Sequence, residues 1–194
     1  MEFNYSLLYW CSDKEDGNSE YNEISPNEVL LCVTYFADSS DFKKNILNQS
    51  SANEAPLLRM STSTCFNCHA SKSKRIGPSF EAIAGRYPAN TVSVDDLAKK
   101  IIGGSSGTWG DEKMPPHPEL QIGQAKELVR WILANSSDPN QTFYTGLEGS
   151  IRARVKPDIA TSKGVYILTA RYVDHGLKGL GHGTKKGVHT IMLK

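Results

Sequence analysis

No apolar run in the 194 residues approaches the roughly 20 positions that a membrane-spanning helix needs. Charge of one sign is not in excess either: 22 Lys and Arg stand against 21 Asp and Glu, a formal net charge of +1. So even a balance makes no electrostatic case for nucleic acid or for an anionic membrane surface. The first residues, Met1-Glu2-Phe3-Asn4-Tyr5, carry neither the basic stretch nor the continuous apolar segment of a secretory signal. Cysteine is scarce, at four residues, and no second Cys-x-x-Cys or histidine pair stands at the spacing of a structural zinc site. The length suffices for one ordinary domain, or for a small core with appended pieces.

Against this background one short stretch stands out: Cys65-Phe66-Asn67-Cys68-His69. Two cysteines two residues apart, followed at once by histidine, form the attachment signature of c-type haem. The thiols add across the porphyrin's vinyl groups, and the adjacent imidazole binds the iron from one face. One turn of helix brings both sulfurs and the ring to the same side, so the motif is expected to open a helix. A thioredoxin-like dithiol is the competing reading, but Ser61-Thr62-Ser63-Thr64 precedes the motif where that fold needs a strand.

Downstream the pattern is helical. Residues 52–58 read as a helix leading into the motif, weakened by Pro56 and the Ser/Thr run. Ser79 is placed to cap a short helix over 81–87. Ser93-Val94-Asp95-Asp96 resembles a capping box ahead of 97–102, with Gly103 and Gly104 as terminators. Ile122, Ala125, Leu128, Val129, Ile132 and Leu133 recur at helical spacing over 121–134, an amphipathic helix with one face to bury.

The motifs taken together carry a resemblance. Cys-x-x-Cys-His is followed by Gly77-Pro78-x-Phe80, by Lys-Ile-Ile-Gly-Gly-Ser-x-Gly-x-Trp-Gly, by Met-Pro-Pro-His-Pro and by a Leu-Val-x-Trp-Ile-Leu helix. This order resembles the short class I bacterial cytochromes c, over roughly residues 54–135. The resemblance implies one covalent haem c, with Cys65 and Cys68 as thioether links, His69 as proximal ligand and Met114 as distal ligand. It implies that the Pro78 carbonyl accepts the proximal imidazole's N–H, that Trp109 hydrogen-bonds a haem propionate, and that Lys100 supplies charge to the same propionate without arginine's bidentate fork. Methionine is more often core filler than a ligand; Pro115 and Pro116 directly after Met114 argue otherwise, by stiffening its loop. His117 is the competing distal ligand and reads otherwise as a surface residue. Phe80, Ile83, Ile101, Ile102 and the last helix are expected to wall the haem.

The flanks read as β structure. Residues 7–11 and 29–36 are rich in β-branched and aromatic residues and read as two strands joined by the polar loop 13–18. Two strands are not a stable domain, so they are expected to lean on the haem domain or on strands further upstream. That acidic loop fails the EF-hand pattern, since Ser12 and Lys14 fall where carboxylates or amides are required. A solvated turn is the default and a looser calcium site the alternative. Cys11 and Cys32 read as a cross-strand disulfide or as two buried small hydrophobes. After the break at Asp138-Pro139-Asn140, strands are expected over 150–155, 164–173 and 188–193, with Tyr166, Leu168, Ala170 and Tyr172 on one face and a glycine- and lysine-rich loop over 176–187. His175, His182 and His189 are too irregularly spaced for a metal site and read as exposed. These segments resemble, more weakly, the β modules that accompany cytochrome domains in large secreted bacterial proteins.

The expectation is therefore an α+β chain: a small all-α haem domain over 52–137, a partial β segment over 1–50 and a β-rich tail over 138–194. Its expected function is one-electron transfer to a redox partner protein (a dehydrogenase, an oxidase or another cytochrome), not enzymatic catalysis. The alternatives are the electron-accepting domain of a secreted sugar or polyol dehydrogenase, a carbohydrate-binding β module carrying a haem domain, and a haem-based gas sensor. Asp111 and Glu112 read as acidic surface. Haem is attached outside the bacterial cytoplasmic membrane, so a periplasmic or extracellular location is implied, with the chain a fragment or its true start further upstream.

Overall fold

The computed structural model describes residues 3–38, 40, 55–153, 164–176 and 185–193. It divides into two compact units: Ser50–Thr142, and Met1–Gln49 together with Phe143–Lys194. Helices make the first unit and strands the second, so the chain is α+β.

The helical unit begins with α1 (Ala55–Thr62) and the single turn α2 (Cys65–Cys68). Helix α1 runs through the serines and threonines that sequence alone counts against it. Ser61 Oγ and Thr62 Oγ1 donate back to the Leu58 carbonyl, at 2.7 and 3.3 Å, so the hydroxyls are satisfied within the helix. The expected start of this helix, 52–54, lies outside the described residues. Ser79 caps α3 (Phe80–Arg86), accepting from the Ala82 N–H at 3.0 Å.

Helix α4 (Thr91–Gly103) starts a turn earlier than the Ser93 capping box predicts. Asn90 is the cap, and its Oδ1 accepts from the Ser93 N–H at 2.9 Å. Asparagine caps as well as serine does, and taking the earlier site adds helical hydrogen bonds. Helix α5 (Ile122–Asn135) packs on α4 through rows spaced by four: Val94 and Ala98 against Ala125, Val129 and Leu133. Among the described residues no helix is long and apolar enough to cross a membrane.

The β unit is assembled from both ends of the chain. Strand β1 (Phe3–Leu8) pairs antiparallel with β6 (Glu148–Ala153). A small hairpin follows, β2 (Ser12–Asp13) with β3 (Gly17–Asn18). The main sheet has the order β5-β4-β7-β8, formed by β4 (Leu30–Phe36), β5 (Gln141–Thr145), β7 (Val165–Val173) and β8 (Lys186–Leu193). The two amino-terminal strands are thus not partners of each other, and β4 finds its partners in the carboxy-terminal segment, with Val33 opposite Leu168. Strand β5 had no distinguishing sequence signal. Residues 154–155 of the expected strand over 150–155, and 177–184 of the expected loop with His182, lie outside the described residues.

Tyr166, Leu168, Ala170 and Tyr172 share one sheet face, packed with Leu31, Val33 and the half-buried Tyr9, Cys11 and Tyr144. Cys32, between Leu31 and Val33 on the strand, must point to the opposite face. That alternation separates it from Cys11, and the two form no disulfide. Leu30 and Ile167 on Cys32's face are also buried. Strands covered on both faces read as continuous apolar runs rather than alternating ones, as the Val29–Val33 stretch does.

Candidate functional site

The turn of α2 is entered through Thr64, a non-glycine residue at φ 58°. Its carbonyl accepts from the Asn67 N–H, and the Cys65 carbonyl accepts from the His69 N–H at 2.9 Å. His69 then leaves the helix in extended conformation. The segment 75–80 folds back over this turn. Gly77 N–H donates to the Cys68 carbonyl at 2.9 Å, Phe80 N–H to the Ala70 carbonyl at 2.9 Å, and Arg75 Nη1 to the Phe66 carbonyl at 2.6 Å. A Cβ on Gly77 would lie 2.6 Å from His69 Cε1, so only glycine admits the ring here.

The same fold-back orients the imidazole. His69 Nδ1 lies 2.7 Å from the Pro78 carbonyl oxygen. A carbonyl only accepts, so Nδ1 carries the proton and Nε2 of the neutral ring keeps its lone pair. The Phe80 ring stacks beside it, centroids 5.4 Å apart. Burial holds the His69 pKa below its ordinary value, which favours the neutral ring, and pushes the Cys65 thiol up to about 11.

Met114 arrives from a different part of the unit. Its backbone is clamped to Ser105 by two hydrogen bonds, Ser105 N–H to Met114 O at 3.1 Å and Met114 N–H to Ser105 O at 2.8 Å. Gly104, at φ 77°, makes the close turn out of α4 that permits this; a Cβ there would stand 2.9 Å from Met114 O. His117 N–H donates to the Ile101 carbonyl at 3.0 Å, which ties the far side of the Met-Pro-Pro loop to the end of α4. The His117 side chain is held by Glu119 at 2.8 Å and is not among the residues that line the cleft described next. The prolines are therefore one part of the loop's restraint, and the Gly104–Ser105 turn is the other.

Cys65, Cys68, His69, Pro78, Lys100, Trp109 and Met114 all line one open cleft. Its walls are apolar: Phe80, Ile83, Ile101, Leu128, Val129 and Ile132 among them, whereas Ile102 turns into the α4–α5 contact. Sequence reasoning overlooked two residues packed against Trp109. The Arg86 guanidinium lies 4.6 Å from the centroid of the Trp109 ring and donates to the Thr108 carbonyl at 2.9 Å, while Tyr87 meets Trp109 edge-on at 6.4 Å. Arginine in the last turn of a short helix carries no distinguishing signal. Lys100 Nζ sits 5.9 Å from the Tyr87 ring centroid. Lys72 also went unnoticed: its ammonium donates to the Ser136 and Asp138 carbonyls at 2.6 and 2.7 Å and pairs with Glu81 at 3.1 Å, closing the carboxy-terminal end of α5.

An apolar slot that presents two thiols, an imidazole with a free Nε2 lone pair and a thioether has the donor set for iron porphyrin. The cleft's mostly apolar wall fits a flat hydrophobic group with a polar edge.

Comparison with known proteins agrees. No family model matches the chain. Cytochrome c-551 of Azotobacter vinelandii is 42% identical over 74 residues, 38% of this chain and 89% of the relative. Cytochrome c-552 of Hydrogenobacter thermophilus is 41% identical over 70 residues, 36% of this chain and 70% of the relative. Among solved structures, the crystal structure of wild-type Nitrosomonas europaea cytochrome c552 covers 39% of this chain and 93% of its own, at 39% identity and a TM-score of 0.37. The rest of the chain is unmatched by these relatives. Through this part of its length, the chain belongs to the class I c-type cytochromes of the c-551/c-552 group, whose cofactor is covalently attached haem c.

Proposed function

We propose that the helical unit is a one-electron carrier in which Cys65 and Cys68 hold a single haem c, His69 is the proximal ligand and Met114 the distal one. The observation that carries this reading is the convergence on one cleft of both thiols, of Met114 and of a His69 ring whose Nδ1–H is committed to Pro78. When bound, the haem supplies the one-electron couple of its iron. The chain's residues set the conditions. Pro78 and Gly77 orient the imidazole, and the Ser105 clamp restrains the methionine loop. A thioether ligand raises the reduction potential, and two protein ligands leave no position for substrate, which favours a carrier over an enzyme. Trp109 and Lys100 are the donors for the propionates, with Arg86 fixing the Trp109 ring from outside.

The haem domain on this reading is 52–137, flanked by the β segments 1–50 and 138–194, and it works outside the cytoplasm with a redox protein as partner. The test is the optical spectrum of the oxidised protein, made in a host that attaches c-type haem. The weak long-wavelength sulfur-to-iron charge-transfer band is expected in the parent and lost in Met114→Ala. Haem bound without that band in the parent would overturn the Met114 assignment and bring the gas-sensor reading forward.

A further inference from the structure

The loop 13–18, whose composition suggests a solvated turn, is only partly exposed. Carboxylate oxygens of Asp13, Glu15 and Asp174 all lie within 4.8 Å of one another. Asp13 ends β2, Glu15 stands in the turn between β2 and β3, and Asp174 directly follows β7. None of the three lines the haem cleft.

Three acidic side chains in water would need no explanation, but here Asp174 is buried and Asp13 and Glu15 are half-buried. Asp174 is only 3% exposed and the Glu15 side chain 13%. Asp174 Oδ2 and Glu15 Oε2 are both buried and accept no hydrogen bond. Two other oxygens hold their carboxylates in place. Asp174 Oδ1 accepts from the Lys185 N–H at 2.6 Å, and Asp13 Oδ1 accepts from the Glu15 and Asp16 N–H groups at 2.8 and 3.0 Å. Lys185 Nζ comes within 3.7 Å of Glu15 Oε1, but its side chain is 71% exposed, too solvated to offset buried negative charge. Asp16 is committed elsewhere, to the Tyr172 hydroxyl at 2.6 Å and the His175 N–H at 2.9 Å. A buried carboxylate oxygen with no donor is unfavourable unless a cation meets it.

We propose that Asp13, Glu15 and Asp174 bind a hard divalent cation, calcium by preference, which fastens the β2–β3 hairpin to the end of β7. An all-carboxylate donor set suits hard cations and disfavours zinc or copper. Calcium holds oxygens at 2.3–2.6 Å, so two ligands of one ion lie at most about 5 Å apart, a limit the observed spacing meets. Magnesium holds ligands closer, sheds water reluctantly and uses one or two carboxylates as a rule. The residues come from two segments about 160 positions apart in the chain, as Asp13 and Asp174 show, which is why no contiguous loop pattern reveals them.

The test uses the full haem-loaded chain after treatment with a chelator. Calorimetric titration with calcium chloride is expected to show one site per chain, and the far-ultraviolet melting midpoint is expected to rise with calcium concentration. Asp174→Asn preserves the shape and the acceptor for Lys185, and is expected to weaken binding about tenfold or more. Glu15→Gln, in a turn, gives a second variant should the first fail to fold, and the same loss is expected. No heat and no melting shift at millimolar calcium overturns the proposal, as does unchanged affinity in either folded variant. Magnesium binding as tight as calcium's overturns the preference for calcium.

Discussion

The two units are built on opposite principles. In the helical unit, most of the bonds that shape the site join residues within about ten positions of each other: His69 to Pro78, Gly77 to Cys68, Met114 to Ser105. In the β unit the central pairing joins Leu30 to Arg171 and Phe36 to Val165. Short loops close cheaply in entropy, whereas long-range strand pairing must be repaid by burial after a large loop is closed. The first unit accordingly keeps its function in spaced motifs, and the second keeps its stability in an apolar sheet whose halves are uninterpretable apart.

Four substitutions or conditions sharpen that contrast, in order of expected effect. Leu168→Ala removes a fully buried side chain opposite Val33 and is expected to cost about 2–5 kcal/mol. Far-ultraviolet denaturant unfolding measures it, and a loss below about 1 kcal/mol would mean that the long-range sheet is not what holds this unit. Gly77→Ala puts a methyl where the His69 ring stands, and is expected to destabilise the haem unit by about 1–3 kcal/mol, read from unfolding at the haem absorbance. An unchanged midpoint would show that the ring has room to move.

Lys72→Met keeps the aliphatic stem but uncaps α5, and about 1–2 kcal/mol should be lost in the same assay. Exposure of Glu81 makes that ion pair the minor part of the loss. The smallest effect is that of His175, whose pKa is raised first by its hydrogen bond to Asp16 and then by Glu28. A raised folded pKa stabilises fully below the unfolded value near 6.5, and the gain disappears as pH climbs through the folded value. With the side chain 58% exposed, screening limits this to less than about 1 kcal/mol. Melting midpoints at pH 6 and pH 8 should differ more in the parent than in His175→Gln; equal differences would remove His175 from the account.

What was readable in the sequence follows the same division. The α5 periodicity, the Ser79 cap and the Gly104 stop are local signals, and the helices stand close to where they predict. The Ser93 cap is displaced because two good capping residues, Asn90 and Ser93, stand three apart and the earlier one adds a turn of helical hydrogen bonds. Arg86 and Lys72 carry no signal because their partners, Trp109 and the end of α5, are distant in the chain. The partners of the loop 13–18 are hidden for the same reason: Tyr172, which bonds Asp16, and Asp174, which meets Asp13 and Glu15, stand about 160 residues later.

Residue types and their spacing alone pointed to the haem attachment turn and to the strand character of the flanks, because each depends on neighbours a few positions away; the parts of Pro78 and Met114 were implied by the family resemblance of the ordered motifs. Only the tertiary structure decided that β4 pairs with β5 and β7, that Cys11 and Cys32 occupy opposite faces, and that three carboxylates from two ends of the chain meet. Strand pairing is specified by burial on a shared face, and a sequence records which residues want burial without recording with whom.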